Sequence, residues 1–354
     1  MKPSHSSVAV GVTALAGALL AVAAFAQEET VAAAAPATVG PRAAEIAAMA
    51  ERSLLTRIVR AGDALVAVGA RGHILRSQDG QQWQQLAVPV DGLLTSAYFL
   101  DAHLGWVVGH DATILHTRDG GTNWTVQHFD AVANQPLLDV LFLDAQRGFA
   151  IGAYGLFLET QDGGAQWTPV VAPIVEEQVH FNALVPLGNG SLLIVGEVGM
   201  LALSEDRGAS WQRLVSPYES SLFAVVAEGE RGAVIGGLRG NLYRSADVRA
   251  GEWTRIDTGT PQSVFGLAAL PGGDIAVAGL NATLLLVAPD NRVQAVPLAR
   301  APVAAAPQGP PFVSLATEIT DLELGAFSGV ISHGEGLITV GDAGIRRWRL
   351  GAGP

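Results

Sequence analysis

An eight-residue pattern, Ser/Thr-x-Asp-x-Gly-x-x-Trp, constrains this chain more than any other feature. It runs from Thr117 to Trp124, from Thr160 to Trp167 and from Ser204 to Trp211. Asp119, Asp162 and Asp206 hold its third position, and Gly121, Gly164 and Gly208 its fifth. Two weaker copies flank these. Ser77, Asp79 and Trp83 form one that is a residue short, and Ser245, Asp247 and Trp253 one that is a residue long. Repetition at a fixed period marks a chain assembled from copies of one supersecondary unit.

The pattern reads as a hairpin turn. Its Asp and Ser side chains can accept hydrogen bonds from backbone N–H groups two or three residues on. Its glycine supplies a positive φ without steric cost. Its tryptophan opens the next strand and carries a large apolar surface for burial between neighbouring sheets. Copies spread over five repeats cannot share one active site, so the aspartates are read as structural.

A second register confirms the period. A short β-branched run ends in glycine at Gly69, Gly109, Gly152, Gly196, Gly236, Gly279 and Gly341. Units of about 40–45 residues with four short strands each are the signature of a propeller. The expected fold is all-β: a seven-bladed β-propeller of four-stranded blades over residues 54–350. The last interval is longer than the others and holds an irregular insertion at about 300–325, rich in Ala and Pro. The seventh unit shows only three strands.

Residues 1–26 read as a secretion signal. Lys2 and His5 precede an apolar run from Val8 to Phe25, and Ala24-Phe25-Ala26 gives a cleavage site before Gln27. The alternative is an N-terminal membrane anchor. A periplasmic location is expected. Residues 27–53 read as a flexible leader. Ile46, Met49 and Ala50 stand at helical spacing there, so this stretch is expected to form a short helix, to supply the missing outer strand, or to cover that edge.

Composition narrows the function. No cysteine is present, which removes thiol catalysis and zinc–thiolate sites. Lys2 is the only lysine, so Schiff-base chemistry and the Walker A loop are excluded from the exported chain. The formal net charge of −12 argues against nucleic acid and anionic membrane surfaces as partners. No serine-hydrolase elbow or H-E-x-x-H motif occurs, and the eight histidines show no metal-ligand spacing. His73, His110 and His116 are the nearest approach to one. No catalytic residue, metal or cofactor is expected.

The candidate binding site is the set of turns between second and third strands, on the face opposite the Asp turns. These turns carry Arg71, His73, His110, Asp111, Tyr154, Glu197, Arg239, Asn281 and Asp342, and they are expected to converge on the central channel.

The Asp turn is similar to the Asp box of sialidases and related propellers. Together with the sevenfold register, the export signal and the missing catalytic set, it resembles more closely the photosystem II assembly and stability factor family and its bacterial relatives. The resemblance covers about Leu54 to Leu350. It implies a non-enzymatic, monomeric envelope protein that binds an envelope or membrane protein complex during assembly. It also implies an arginine-rich contact patch, for which Arg71 and Arg239 are the best-placed matches. A sialidase-like glycoside hydrolase is the alternative. Its arginine motif is half matched by Thr56-Arg57-Ile58-Val59, and Tyr154 paired with Glu197 is the nearest counterpart of its nucleophile.

Overall fold

The computed structural model describes residues 40–298 and 325–350. The export signal, residues 27–39 of the leader and the insertion up to 324 lie outside the described residues. Among the described residues, seven antiparallel sheets follow one another along the chain. Six have four strands and the seventh has three, each strand paired with its neighbour in sequence. First strands of successive blades are in contact, and that of blade 7 (Phe327–His333) meets that of blade 1 (Leu55–Ala61), so the ring is closed.

The sevenfold glycine has a steric cause. The residue just before each first strand points its carbonyl at the end of the second strand. Leu54, Leu93, Pro136, His180, Ser221, Ser263 and Ala326 provide these oxygens, each accepting the N–H of the residue after the glycine at 2.9–3.1 Å. A Cβ on that glycine would sit 1.9–2.4 Å from the same oxygen, so only glycine fits. In blade 5 the glycine in this slot is Gly237, not the sequence-assigned Gly236. Gly237 pairs with Leu222 and faces the Ser221 carbonyl, whereas Gly236 lies one residue earlier in the strand.

Among the described residues the core is divided into seven clusters, one per blade interface. Each Asp-turn tryptophan enters the cluster between its own blade and the preceding one. Trp124 meets Phe99 edge-on at 6.1 Å, Trp167 meets Phe142 at 5.8 Å, and Trp211 lies 5.4 Å from Phe157. Trp83 does the same between blades 7 and 1.

The leader forms neither the expected helix nor a fourth strand among its described residues. It makes a single 3-10 turn, Ala50–Arg52. Ala44, Ala47 and Ala50 pack on the propeller, while Ile46 and Met49 are exposed. The inward residues thus recur every three positions, not at α-helical spacing. Tertiary hydrogen bonds override helix propensity here: Ala44 N donates to Val88 O at 2.9 Å and Ala47 N to Gln85 Oε1 at 2.8 Å. Ile345 N donates to Glu51 O at 2.9 Å, so this stretch spans the seam between blades 1 and 7. The third strand of blade 7, Arg346–Arg349, has no strand partner on its outer side among the described residues. Its Arg-Arg-Trp-Arg sequence places charge along that edge, a common guard against unwanted strand addition.

Candidate functional site

The Asp and Ser/Thr side chains of the Asp turns are satisfied within the turns themselves. In blade 2, Thr117 Oγ1 accepts the Gly121 N–H at 2.9 Å, Asp119 Oδ1 accepts the Asn123 N–H at 2.9 Å, and Thr117 donates to Asp119 at 2.8 Å. Blades 3 and 4 repeat this. The Gly164 N–H reaches Thr160 Oγ1 and the Gly208 N–H reaches Ser204 Oγ, at 2.8 and 2.7 Å. The span is four residues rather than the expected two or three. The short copy keeps the closer spacing, with Asp79 capping Gln81 and Gln82. Gly121, Gly164 and Gly208 have φ of +88°, +89° and +90°, as the sequence requires. Hydrogen bonds, led by the Asn123 N–H at Asp119 and by the Ser210 hydroxyl at Asp206, lower the pKa of both carboxyls to about 2. These carboxylates are occupied by their own turns.

The opposite face is built from tight turns. Arg71-Gly72, Tyr154-Gly155, Val198-Gly199 and Arg239-Gly240 each have two consecutive positive φ values, the geometry of a type I′ hairpin. Asp111-Ala112 and Asn281-Ala282 do the same without glycine. The glycines press against the loops that connect blades; a Cβ on Gly72 would lie 2.0 Å from Val90 O, and one on Gly240 2.0 Å from Thr260 O. The first residue of each pair is exposed, except for the half-buried Asp111.

The sequence-assigned residues divide accordingly. Arg71, His110, Tyr154, Arg239, Asn281 and Asp342 are exposed on this face. Asn281 Nδ2 donates to Gln262 Oε1 at 2.9 Å, and Asp342 Oδ2 accepts the Ala326 N–H at 2.9 Å. Asp111 is half-buried, with its carbonyl accepting Asp130 N–H. His73 is not presented for binding. It is 3% exposed and shares a 2.8 Å hydrogen bond with Ser53 Oγ, tying the leader to blade 1. Burial, then the nearby Arg71 charge, lowers its pKa. His116 is also buried, stacked on Trp106 at 4.9 Å, with its pKa lowered to about 4 by burial first and Arg118 second. His110 is exposed and so stands apart from the two buried histidines.

Tyr154 and Glu197 do not pair with each other. His180 stands between them: its ring meets Tyr154 edge-on at 4.7 Å, and its Nδ1 lies 3.6 Å from Glu197 Oε1.

The central channel holds a cavity of about 370 Å³, but none of the sequence-assigned turn residues lines it. The second-to-third-strand turns sit away from the axis, and first strands make the wall. Its polar lining includes Arg57, Arg60, Tyr98 and Asp139. Burial pushes the Tyr98 phenol up. Asp139 joins three blades: Oδ1 accepts Ser96 Oγ from blade 2 at 2.7 Å, and Oδ2 accepts Leu184 N from blade 4 at 2.9 Å. Sequence reading passed over it. The one signal was a carboxylate inside the apolar strand Leu137–Phe142.

The family description "Photosynthesis system II assembly factor YCF48" matches residues 75–136 and 127–293, more than half of the chain. The chain belongs to the Ycf48 family. Individual Ycf48 sequences match locally. Photosystem II assembly protein Ycf48 of Thermosynechococcus vestitus is 39% identical over 46 residues, 13% of either chain. That of Synechococcus sp. strain JA-3-3Ab is 36% identical over 58 residues, 16% of this chain and 17% of the relative. Each local match thus spans under a fifth of the curated relative's length. The fold match is global. A solved structure described as YCF48 bound to D1 peptide superposes with a TM-score of 0.64 at 16% identity, covering 88% of this chain and 98% of that one. YCF48 from Cyanidioschyzon merolae gives 0.63 at 14% identity, covering 84% and 96%. At these identities the superpositions establish the seven-bladed fold, and membership in the Ycf48 family rests on the sequence match.

Proposed function

We propose that this chain is an exported, non-enzymatic, monomeric assembly factor that binds a membrane-protein partner on its inner-turn face. The observation that carries the reading is the Ycf48 family match, laid over a closed ring whose opposite face is occupied by its own Asp turns. A Ycf48 structure with a D1 peptide bound supports a peptide-like segment of a membrane protein as the class of ligand. The exposed Arg71 and Arg239 are the contacts assigned to it. The acidic balance of the chain and the export signal read from residues 1–26 support a periplasmic protein partner over nucleic acid. The separation of Tyr154 from Glu197 by His180, and of both from the channel cavity, weighs against a glycosidase.

Crosslinking in intact cells, followed by pull-down of the tagged native chain, tests the reading. Recovery of a defined membrane protein is the expected result. Recovery of none, together with turnover of a fluorogenic sialoside by the purified protein, would replace it with the enzyme.

A further inference from the structure

We propose that the sector of the inner-turn face over blades 3 and 4 docks an extended segment presenting a lysine or arginine side chain beside an aliphatic one. The proposal rests on the reading of this face as the binding face, and it names the chemistry of what binds there.

The starting observation is a left-handed backbone at two bulky, exposed residues. Tyr154 has φ +55° and Val198 has φ +51°. The left-handed region is natural for glycine and tolerated by Asn and Asp; Asp111 and Asn281 occupy the matching positions of blades 2 and 6, and Arg71 and Arg239 those of blades 1 and 5. A bulky aromatic and a β-branched residue are poorly suited to it. Burial could compensate, yet Tyr154 is 59% exposed and Val198 63% exposed. Strained residues kept in place without packing are characteristic of binding sites.

The two residues belong to one assembled patch. His180 packs against the Tyr154 ring and faces Glu197, which directly precedes Val198. Arg213 fixes the Val198 turn by donating to Val198 O at 3.2 Å and Gly199 O at 3.4 Å. Its charge is taken up by Glu177, 2.5 Å away. The helical turn Pro173–Glu177 is thereby held beside the patch and leaves Glu176 exposed at its edge. Glu219, also exposed, follows the Tyr218 carbonyl that packs on the Gly199 turn.

An exposed aromatic ring with carboxylates in the same sector selects a cation. The ring face attracts a guanidinium or ammonium, and Glu197 and Glu176 add charge complementarity. Val198 offers an adjacent aliphatic surface. The same carboxylates repel acidic peptides and anionic lipid. This sector therefore differs in sign from the Arg71 and Arg239 turns of blades 1 and 5.

The test uses the full chain and two fluorescein-labelled, end-capped decapeptides, one repeating glycine, leucine and arginine, the other with glutamate replacing arginine. Anisotropy should show the arginine peptide binding and the glutamate peptide binding at least roughly tenfold more weakly. Tyr154→Gly and Val198→Gly relieve the strain, so each should leave Tm unchanged or raise it while weakening the arginine peptide by about tenfold. Glu197→Gln should weaken it and, by removing a repelling charge, narrow the gap between the two peptides. Equal binding of the two peptides overturns the proposal. So does undiminished affinity in Tyr154→Gly, or a lowered Tm in both glycine variants, which would make these side chains structural. The wider reading fails on different evidence, when the native chain crosslinks to no membrane protein. A partner captured equally well by native chain and Tyr154→Gly would leave that reading standing and remove this sector from it.

Discussion

Ser328 Oγ donates to the carbonyl of Leu55 at 2.7 Å, joining the last blade to the first across the seam of the ring. The relationship is not peculiar to the seam. Thr56 donates to Leu94 O at 2.7 Å, Thr95 to Leu137 O at 2.6 Å, and Asn182 Nδ2 to Leu222 O at 2.8 Å. In each case the second residue of a first strand reaches the first residue of the next blade's first strand. Leu138, Phe223 and Phe265 occupy that position in the other blades, and the two phenylalanine rings meet at 5.4 Å. The inner ring is thus held by hydroxyl and amide bonds around part of its circumference and by apolar contact around the rest.

Ser328→Ala removes the seam bond. A neutral hydrogen bond contributes about 0.5–1.5 kcal/mol, and the carbonyl of the buried Leu55 loses a partner. Ser328→Thr keeps the hydroxyl and should retain most of the stability. Urea melts of both variants check this; equal midpoints for Ala and wild type would show that the seam bond contributes nothing.

The Asp turn should be more sensitive at Thr160 than at Asp162. The buried Gly164 N–H depends on Thr160 Oγ1, so Thr160→Val should cost about 1–3 kcal/mol. Asp162 caps the exposed Gln166 N–H, which water can replace, so Asp162→Ala should shift the melt less. Trp211→Ala should cost roughly 3–5 kcal/mol by opening a cavity between blades 3 and 4. Thermal melts of the three variants order them, and a larger loss for Asp162→Ala than for Thr160→Val would reverse the assignment.

Asp139→Ala should destabilise strongly although the residue touches no turn. It strands Leu184 N and Ser96 Oγ, each a buried donor costing about 1–3 kcal/mol when unpaired. Asp139→Asn keeps one acceptor and should fall between. Chemical denaturation of the pair measures the difference.

His116 gives stability a pH dependence of known sign. Its pKa is lowered to about 4 in the fold, below its ordinary value of 6.5. Between these values the unfolded chain binds a proton that the folded chain does not, so stability rises with pH across the window. The contribution is complete above about pH 6.5 and is lost as pH falls toward 4. Asp119 and Asp206, lowered to about 2, add a second loss as pH falls below the ordinary carboxylate value of 3.8. His116→Phe should flatten the upper window while leaving the lower one. Melting temperatures from pH 2 to 8 separate the two; an unchanged upper slope in the variant would assign it to other histidines.

Charge reversal on the two faces locates partner binding. Arg71→Glu with Arg239→Glu should weaken partner capture while moving Tm little, because exposed charges contribute about 0–1 kcal/mol. Arg118→Glu with Arg207→Glu changes the same charge on the Asp-turn face, where Arg207 pairs with Asp144 at 3.4 Å, both exposed. Quantitative pull-down of the crosslinked partner compares them. Loss only in the second pair would move function to the Asp-turn face.

The sequence alone determined the all-β class, the sevenfold count and the chemistry of the Asp turns, because these depend on local spacing. Gly121 must turn with positive φ wherever it sits, and Trp124 must find apolar surface whichever blade provides it. The seven glycines were legible for the same reason, except at Gly237, where two adjacent glycines left the register open and only the Ser221 carbonyl chose between them. Tertiary structure decided everything that depends on contacts distant in sequence. Ala44, Ala47 and Ala50 face inward because Val88 and Gln85 take the backbone of the leader away from a helix. His73 is buried because the leader lies over it. Asp139 became a link between three blades through partners 43 and 45 residues away. Tyr154 and Val198 are ordinary residues in sequence, and only a backbone fixed by neighbouring blades turns them outward at positive φ.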